Sequence, residues 1–251
     1  AYDRRKQKIA RAMVELLNRS GLSWGMLGNR ESCSGDPARR LGEENLFQSS
    51  AKKNIETLKS IRFQKIVANC PHCFNTLKNE YQALEGGTLT VVHHTQLLKE
   101  LLESGRLKIK ENAGLLDENG GLTYHDPCYL GRYNDTYEAP RDVLYRIGGV
   151  KRPDEFSEKS SSGAPQIHEM ASHREKGMCC GAGGGHFWMD LKIGERVNVR
   201  RIAEAEQTGA KTIATACPFC LHMLEDGLKL RAKEDEIGVK DIAEIVAENL
   251  S

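Results

Sequence analysis

Apolar residues recur along the chain at alternating helical and strand-like periods. Residues 3–19 place Ile9, Ala12, Met13, Leu16 and Leu17 three and four positions apart, one face of a helix, and Gly21 stops the pattern. Leu22–Leu27 then reads as a strand, 41–60 as a helix, Gln64–Asn69 as a buried strand and 71–83 as a second helix. A short strand at Thr90–Val92 precedes a helix that opens at Thr95 and carries Leu97, Leu98, Leu101 and Leu102. The alternation returns with a strand at Leu122–His125, a helix from Ala139 to Ile147, a long helix over 189–207 and a strand at Thr212–Thr215. A strand at Ile237–Val239 and a helix opened by an Asp241/Glu244 capping box complete the chain. Short buried strands alternating with helices predict an α/β fold with mostly parallel sheets. Residues 105–120 read as a linker, and Lys159–Pro165, rich in Ser and Gly, as a mobile loop.

Composition narrows the function classes. The 251 residues are 39% hydrophobic and 28% charged, with 36 basic against 35 acidic side chains, which describes a globular protein able to bury a core. A net charge of +1 offers no broad basic surface, so nucleic acid is not the expected partner. No apolar run approaches the ~20 residues that span a bilayer, and the opening Ala1-Tyr2-Asp3-Arg4-Arg5 is no signal peptide. The chain is therefore read as neither a secreted precursor nor itself a membrane protein. Eight cysteines stand out. Disulfide frameworks serve short secreted domains that lack a core, so metal or redox chemistry is the better expectation here.

The cysteines fall into a repeat. Cys70-Pro71-His72-Cys73 and Cys217-Pro218-Phe219-Cys220 share one form 147 residues apart, and the intervals Cys33 to Cys70 and Cys180 to Cys217 are both 37. Lys65–Asn69 before the first pair matches Thr212–Ala216 before the second, and each pair is followed by a helix, a short strand and a final amphipathic helix. Two homologous halves are expected, residues 1–104 and 121–251.

Each Cys-Pro-X-Cys stands where a strand hands over to a helix, with proline at the first helical position, where its missing N–H costs nothing. Both sulfurs then face helix amides that stabilise thiolate and favour a metal or an anionic cluster. Two buried core cysteines or a thioredoxin-like dithiol are the other readings of one such motif, and they leave the remaining cysteines unexplained. Cys179-Cys180-Gly181 adds adjacent thiols that do not readily bond to each other but can both reach a large inorganic cluster. Gly181 and Gly183 would let backbone approach that cluster. The glycines lack dinucleotide-loop spacing, because His186 takes the last position. With Cys128 in His125-Asp126-Pro127-Cys128, the second half offers five thiolates, one more than zinc or a cubane cluster needs.

Cys128, Cys179-Cys180-Gly181 and Cys217-Pro218-Phe219-Cys220, with His125 to Arg132 and Asp36 to Gly42, resemble the cysteine-rich CCG domain of the heterodisulfide reductase B/D family of iron–sulfur oxidoreductases. The resemblance covers nearly the whole chain and leans toward the membrane-linked members that serve electron-transferring flavoprotein. It implies a non-cubane [4Fe–4S] cluster on Cys128, Cys179, Cys180, Cys217 and Cys220 in a complete second CCG repeat. The first repeat is degenerate: Cys33-Ser34-Gly35 replaces Cys-Cys-Gly, and only Cys33, Cys70 and Cys73 remain, a set for a second iron–sulfur cluster or zinc. Residues 151–170 read as an insertion after Cys128. The implied activity is electron transfer between a soluble donor such as a flavoprotein and a quinone or membrane partner, with disulfide reduction at the cluster as the alternative. The implied place is the cytoplasm, at a membrane reached through a partner or an upstream segment. A zinc-stabilised binding module is the reading from another class.

Secondary candidates surround these cysteines. His93 and His94 end a strand on the site side, His72 and His186 neighbour the motifs, and Arg132, Arg196 and Arg200 could balance cluster charge; packing or a solvated helix face is the default for each. Phe187 and Trp188 are read as core.

Overall fold

A computed structural model describes residues 3–110, 121–149, 167–189 and 194–251. Its helices are α1 (Arg4–Arg19), α2 (Asp36–Arg40), α3 (Glu44–Lys59), α4 (Pro71–Asn75), α5 (His94–Glu103), α6 (Glu138–Ile147), α7 (Val197–Gln207), α8 (Pro218–Leu230) and α9 (Ile242–Glu248). The strands β1 (Ile66–Ala68) and β2 (Val91–His93) form one parallel pair, and β3 (Leu122–His125), β4 (Thr212–Thr215) and β5 (Gly238–Asp241) form a parallel sheet in that order. The fold is thus α/β with short, parallel-only sheets.

Parallel register aligns the strand ends: Ala68 lies beside His93, and His125 beside Thr215, itself beside Asp241. The chain leaves these ends directly into Cys70, Cys128 and Cys217, so strand geometry gathers the cysteines along one edge. Ligand sites in α/β folds collect at that edge.

The packing interlocks the two halves of the sequence. Helix α1 packs on α9, and α6 packs reciprocally on α5. Arg5 of α1 donates to Glu225 at 2.6 Å and to Glu244 at 2.7 Å, which fixes the first crossing. One core runs through both sheets, from Ile9, Leu16, Leu97 and Leu98 to Tyr124, Ile213 and Ile242, all nearly inaccessible. At its centre the buried His94 Nε2 meets Asp241 Oδ1 at 3.1 Å, a pair separated by 147 residues.

Several local expectations change. Leu22–Leu27 is irregular and joins no sheet; Met26 is 63% exposed, and no described strand lies beside the segment. The helix over 41–60 is present as α3 and starts at Glu44, because Gly42, at φ +86°, turns the chain after α2 ends at Arg40. After α4 the winding loosens to a π-helix over Thr76–Glu80 and tightens to a 3₁₀ turn over Tyr81–Ala83. The long helix over 189–207 shortens to α7, with a 3₁₀ segment at Gly183–Trp188 before it; Gly184 and Gly185, at φ +63° and +80°, turn the chain out of helical winding. The Asp241/Glu244 capping box opens α9 as expected. Most of the linker, the loop Lys159–Pro165 and residues 151–166 of the insertion lie outside the described residues. Ile167 and Met170, in contrast, are buried, and Ile167 bridges Leu122.

Candidate metal centre

Cys70 and Cys217 are the N-cap residues of α4 and α8, each in extended backbone with proline following as the first helical residue. One turn further, Cys73 and Cys220 return toward them, because positions three apart share a helix face. Cys128 sits in a tight turn after β3, where Leu130 and Gly131 both donate to the Pro127 carbonyl at 3.0 Å. The preceding Asp126 ties that turn to the segment leading to Cys179. It accepts from both Arg141 terminal nitrogens at 2.8 Å and from the Arg174 amide at 2.8 Å, while Arg132 donates to the Gly177 carbonyl. Burial would raise the Asp126 carboxyl, but Arg141 outweighs it and holds the group ionised below the usual range.

The Cys179-Cys180-Gly181 turn has a near copy in the first half. The Gly181 amide donates to Cys179 Sγ at 3.3 Å with φ +93°, and the Gly35 amide to Cys33 Sγ at 3.4 Å with φ +85°. Both glycines occupy the left-handed region that side chains resist. This geometry makes Cys33 the counterpart of Cys179 and Ser34 that of Cys180, in place of the match suggested by the 37-residue interval. Ser34 Oγ accordingly donates to Cys73 Sγ at 3.5 Å, as Cys180 meets Cys220.

Seven cysteines stand in one series close enough to shift one another's ionisation: Cys128, Cys179, Cys180, Cys220, Cys217, Cys70 and Cys73. The halves join at Cys70 and Cys217, another pair 147 residues apart. Cys33 is exposed and stands outside this series. Two sulfurs, Cys179 and Cys217, are held low among raised neighbours. Hydrogen bonds from Cys128 and Cys180, with the Gly181 and Gly183 amides, pull the Cys179 thiol well down. Burial would raise Cys217, but donation from Cys220 and Cys70 holds it low. Their donor neighbours Cys128, Cys180, Cys220 and Cys70 are all pushed up. So many neighbouring sulfurs, three of them buried, cannot ionise together without a cation, and soft thiolate ligands suit iron or zinc. The donor set fits such a group, since metal charge would replace the shared protons.

Other candidates are distributed around this series. His72 Nδ1 lies 3.0 Å from Asp36, and its ring stacks on Tyr129 at 4.0 Å and meets Phe219 edge-on at 5.1 Å. His93 and His94 are fully buried, with ring centroids 4.3 Å apart. His186, Arg196 and Arg200 are exposed. Phe187 packs on Phe219 at 5.0 Å, but Trp188 is 54% exposed, which corrects its reading as core: the Gly184–Gly185 turn carries it outward. Two features escaped sequence reasoning. One is the Asp126–Arg141 clamp, signalled only by the Asp in His125-Asp126-Pro127-Cys128. The other is His125 itself, fully buried, with a ring nitrogen within 4.8 Å of the Cys180 and Cys220 sulfurs.

The chain is 43% identical over its full length to a probable iron–sulfur-binding oxidoreductase, FadF, of Bacillus subtilis, covering 32% of that protein. It is 38% identical over 98% of its length to the EtfAB:quinone oxidoreductase of Syntrophomonas wolfei, covering 32% of it. A third relative, a dihydromethanophenazine:CoB–CoM heterodisulfide reductase subunit of Methanosarcina barkeri, is 34% identical over 96% of the chain, which covers 55% of that polypeptide. The chain thus spans about a third to about half the length of these relatives. The cysteine-rich domain family, CCG, matches residues 1–78, 122–156 and 164–225, and the chain belongs to that family.

Proposed function

We propose that this chain is the iron–sulfur electron-transfer unit of an oxidoreductase that moves electrons between a flavoprotein and a quinone or membrane partner. The observation that carries this reading is the continuous cysteine series from Cys128 to Cys73, which crosses between the halves at Cys70 and Cys217. Cys128, Cys179, Cys180, Cys217 and Cys220 are the ligands of a non-cubane [4Fe–4S] cluster, with Gly181 and Gly183 giving it backbone access. Cys33, Cys70 and Cys73 hold a second iron–sulfur cluster or zinc. The halves, 1–104 and 121–251 joined by 105–120, are two CCG repeats, the second complete.

When bound, such a cluster supplies one-electron storage at a potential set by its surroundings. The chain's own residues do the rest. Asp126 and Arg141 hold Cys128 against Cys179, and the helix N-termini of α4 and α8 direct amides at Cys70 and Cys217. Burial of Cys180, Cys217 and Cys220 keeps water from the inner sulfurs. Among the described residues no helix is long and apolar enough to cross a membrane. In this reading the chain works on the cytoplasmic side and reaches quinone through a partner or another segment.

Disulfide reduction is the second reading, favoured by the likeness to the heterodisulfide reductase subunit. The test is anaerobic mixing of iron-loaded protein with reduced electron-transferring flavoprotein, followed by a short-chain ubiquinone analogue. Reduction of the cluster signal by the first and reoxidation by the second is the expected result. Failure of the flavoprotein to reduce the cluster, with turnover of an aliphatic disulfide under a chemical reductant, would replace the first reading by the second.

A further inference from the structure

His125 closes β3, and its ring is completely buried. Arg201, also completely buried, donates through Nε to His125 Nδ1 at 2.9 Å. A guanidinium has only donors, so Nδ1 is the acceptor and the ring proton sits on Nε2. Arg201 is fixed in turn: its Nη1 donates to the Ser172 carbonyl at 2.8 Å and pairs with Glu204.

The Nε2–H that remains is buried and has no hydrogen-bond partner among the described residues. A buried N–H left without an acceptor is costly, so such donors ordinarily find one. The sulfurs of Cys180 and Cys220 lie within 4.8 Å of the imidazole, and these are the inner ligands of the proposed cluster. Their S–H protons are lost when metal binds, which turns both sulfurs into full acceptors.

We infer that His125 is a positioning residue whose Nε2–H donates to sulfur at the Cys180–Cys220 side of the bound cluster, with Arg201 locking the tautomer. The inference rests on the placement of the cluster in the second half. A hydrogen bond to a cluster sulfur stabilises the more negative, reduced state and so raises the reduction potential.

The experiment compares anaerobically iron-loaded parent protein, His125→Phe and His125→Gln by redox titration followed by EPR, with iron and sulfide measured in each. Phe removes the donor at similar volume, whereas Gln places an N–H near the former Nε2. With iron and sulfide retained, His125→Phe should lower the reduced-to-oxidised ratio at fixed potential about tenfold, which is 59 mV for one electron. His125→Gln should recover most of that shift. Pulsed EPR of ¹⁵N-histidine-labelled parent protein should show one coupled nitrogen that His125→Gln abolishes, a readout available even if the Phe variant folds poorly. Equal potentials in all three proteins, or no coupled nitrogen in the parent, would overturn the inference. Absence of iron and sulfide from the parent protein would instead overturn the cluster placement beneath it.

Discussion

The turns Cys33-Ser34-Gly35 and Cys179-Cys180-Gly181 share a backbone but differ in the groups they present. Both put a glycine at positive φ and its amide 3.4 or 3.3 Å from the first sulfur. Yet the first presents a hydroxyl to Cys73, while the second presents a thiol to Cys220. The first is also wrapped in ordinary polar contacts. Tyr81 donates its hydroxyl to the Ser34 carbonyl at 2.9 Å, and Asn54 donates to the Cys33 carbonyl at 2.8 Å. The second is held by the Asp126–Arg141–Glu169 ion cluster and reaches the buried members of the cysteine series. Backbone geometry therefore persists where ligand number does not: glycine and local hydrogen bonds keep the turn, and one side-chain atom decides what it can bind.

The comparison is broken most severely by Cys180→Ala. This removes the thiol that Ser34 already lacks on the other side, and most iron and sulfide should leave the second half. Cys33→Ala, at an exposed sulfur outside the series, should cost much less iron. Equal losses in the two variants would show that the halves do not differ in what they can bind.

A smaller effect follows from the clamp. Asp126→Asn removes one of the two described carboxylates that pair with the buried Arg141, leaving Glu169, and should destabilise the protein by about 3–5 kcal/mol in urea unfolding. The folded Asp126 carboxyl lies below its ordinary value, so its stabilisation is complete above about pH 4 and is lost as pH falls through the lowered value. The parent should therefore lose its advantage over Asp126→Asn on acidification, and a pH-independent difference would contradict the assignment. The smallest change tests the shared backbone. Gly35→Ala meets the strain of φ +85° and a Phe47 carbon 2.9 Å from the new methyl, and should cost about 1–2 kcal/mol with little change in second-half iron.

Much of this arrangement is written locally. Proline after Cys70 and Cys217, the capping box at Asp241 and the alternating strands and helices are short-range signals, and each leads to the observed element. What escaped depends on contacts between distant segments. The meeting of Cys70 with Cys217, the crossing of α1 onto α9 and the Arg201–His125 bond join residues 76 or more positions apart. Arg201 sits on a helix whose pattern reads as amphipathic, so nothing nearby marks it as the partner of a strand-end histidine. Leu22–Leu27 fails for the converse reason: its apolar residues satisfy a strand pattern, but no described neighbour completes the ladder.

The central claim is that the second half holds an iron–sulfur cluster on five cysteines whereas the first holds a smaller site. ⁵⁷Fe Mössbauer spectroscopy of anaerobically reconstituted protein, with parallel iron, zinc and sulfide analysis of the parent and Cys180→Ala, tests it most directly. The account predicts acid-labile sulfide and a sulfur-coordinated iron spectrum in the parent that largely disappears in the variant. Zinc without sulfide in both proteins, or an iron spectrum indifferent to Cys180, would contradict it.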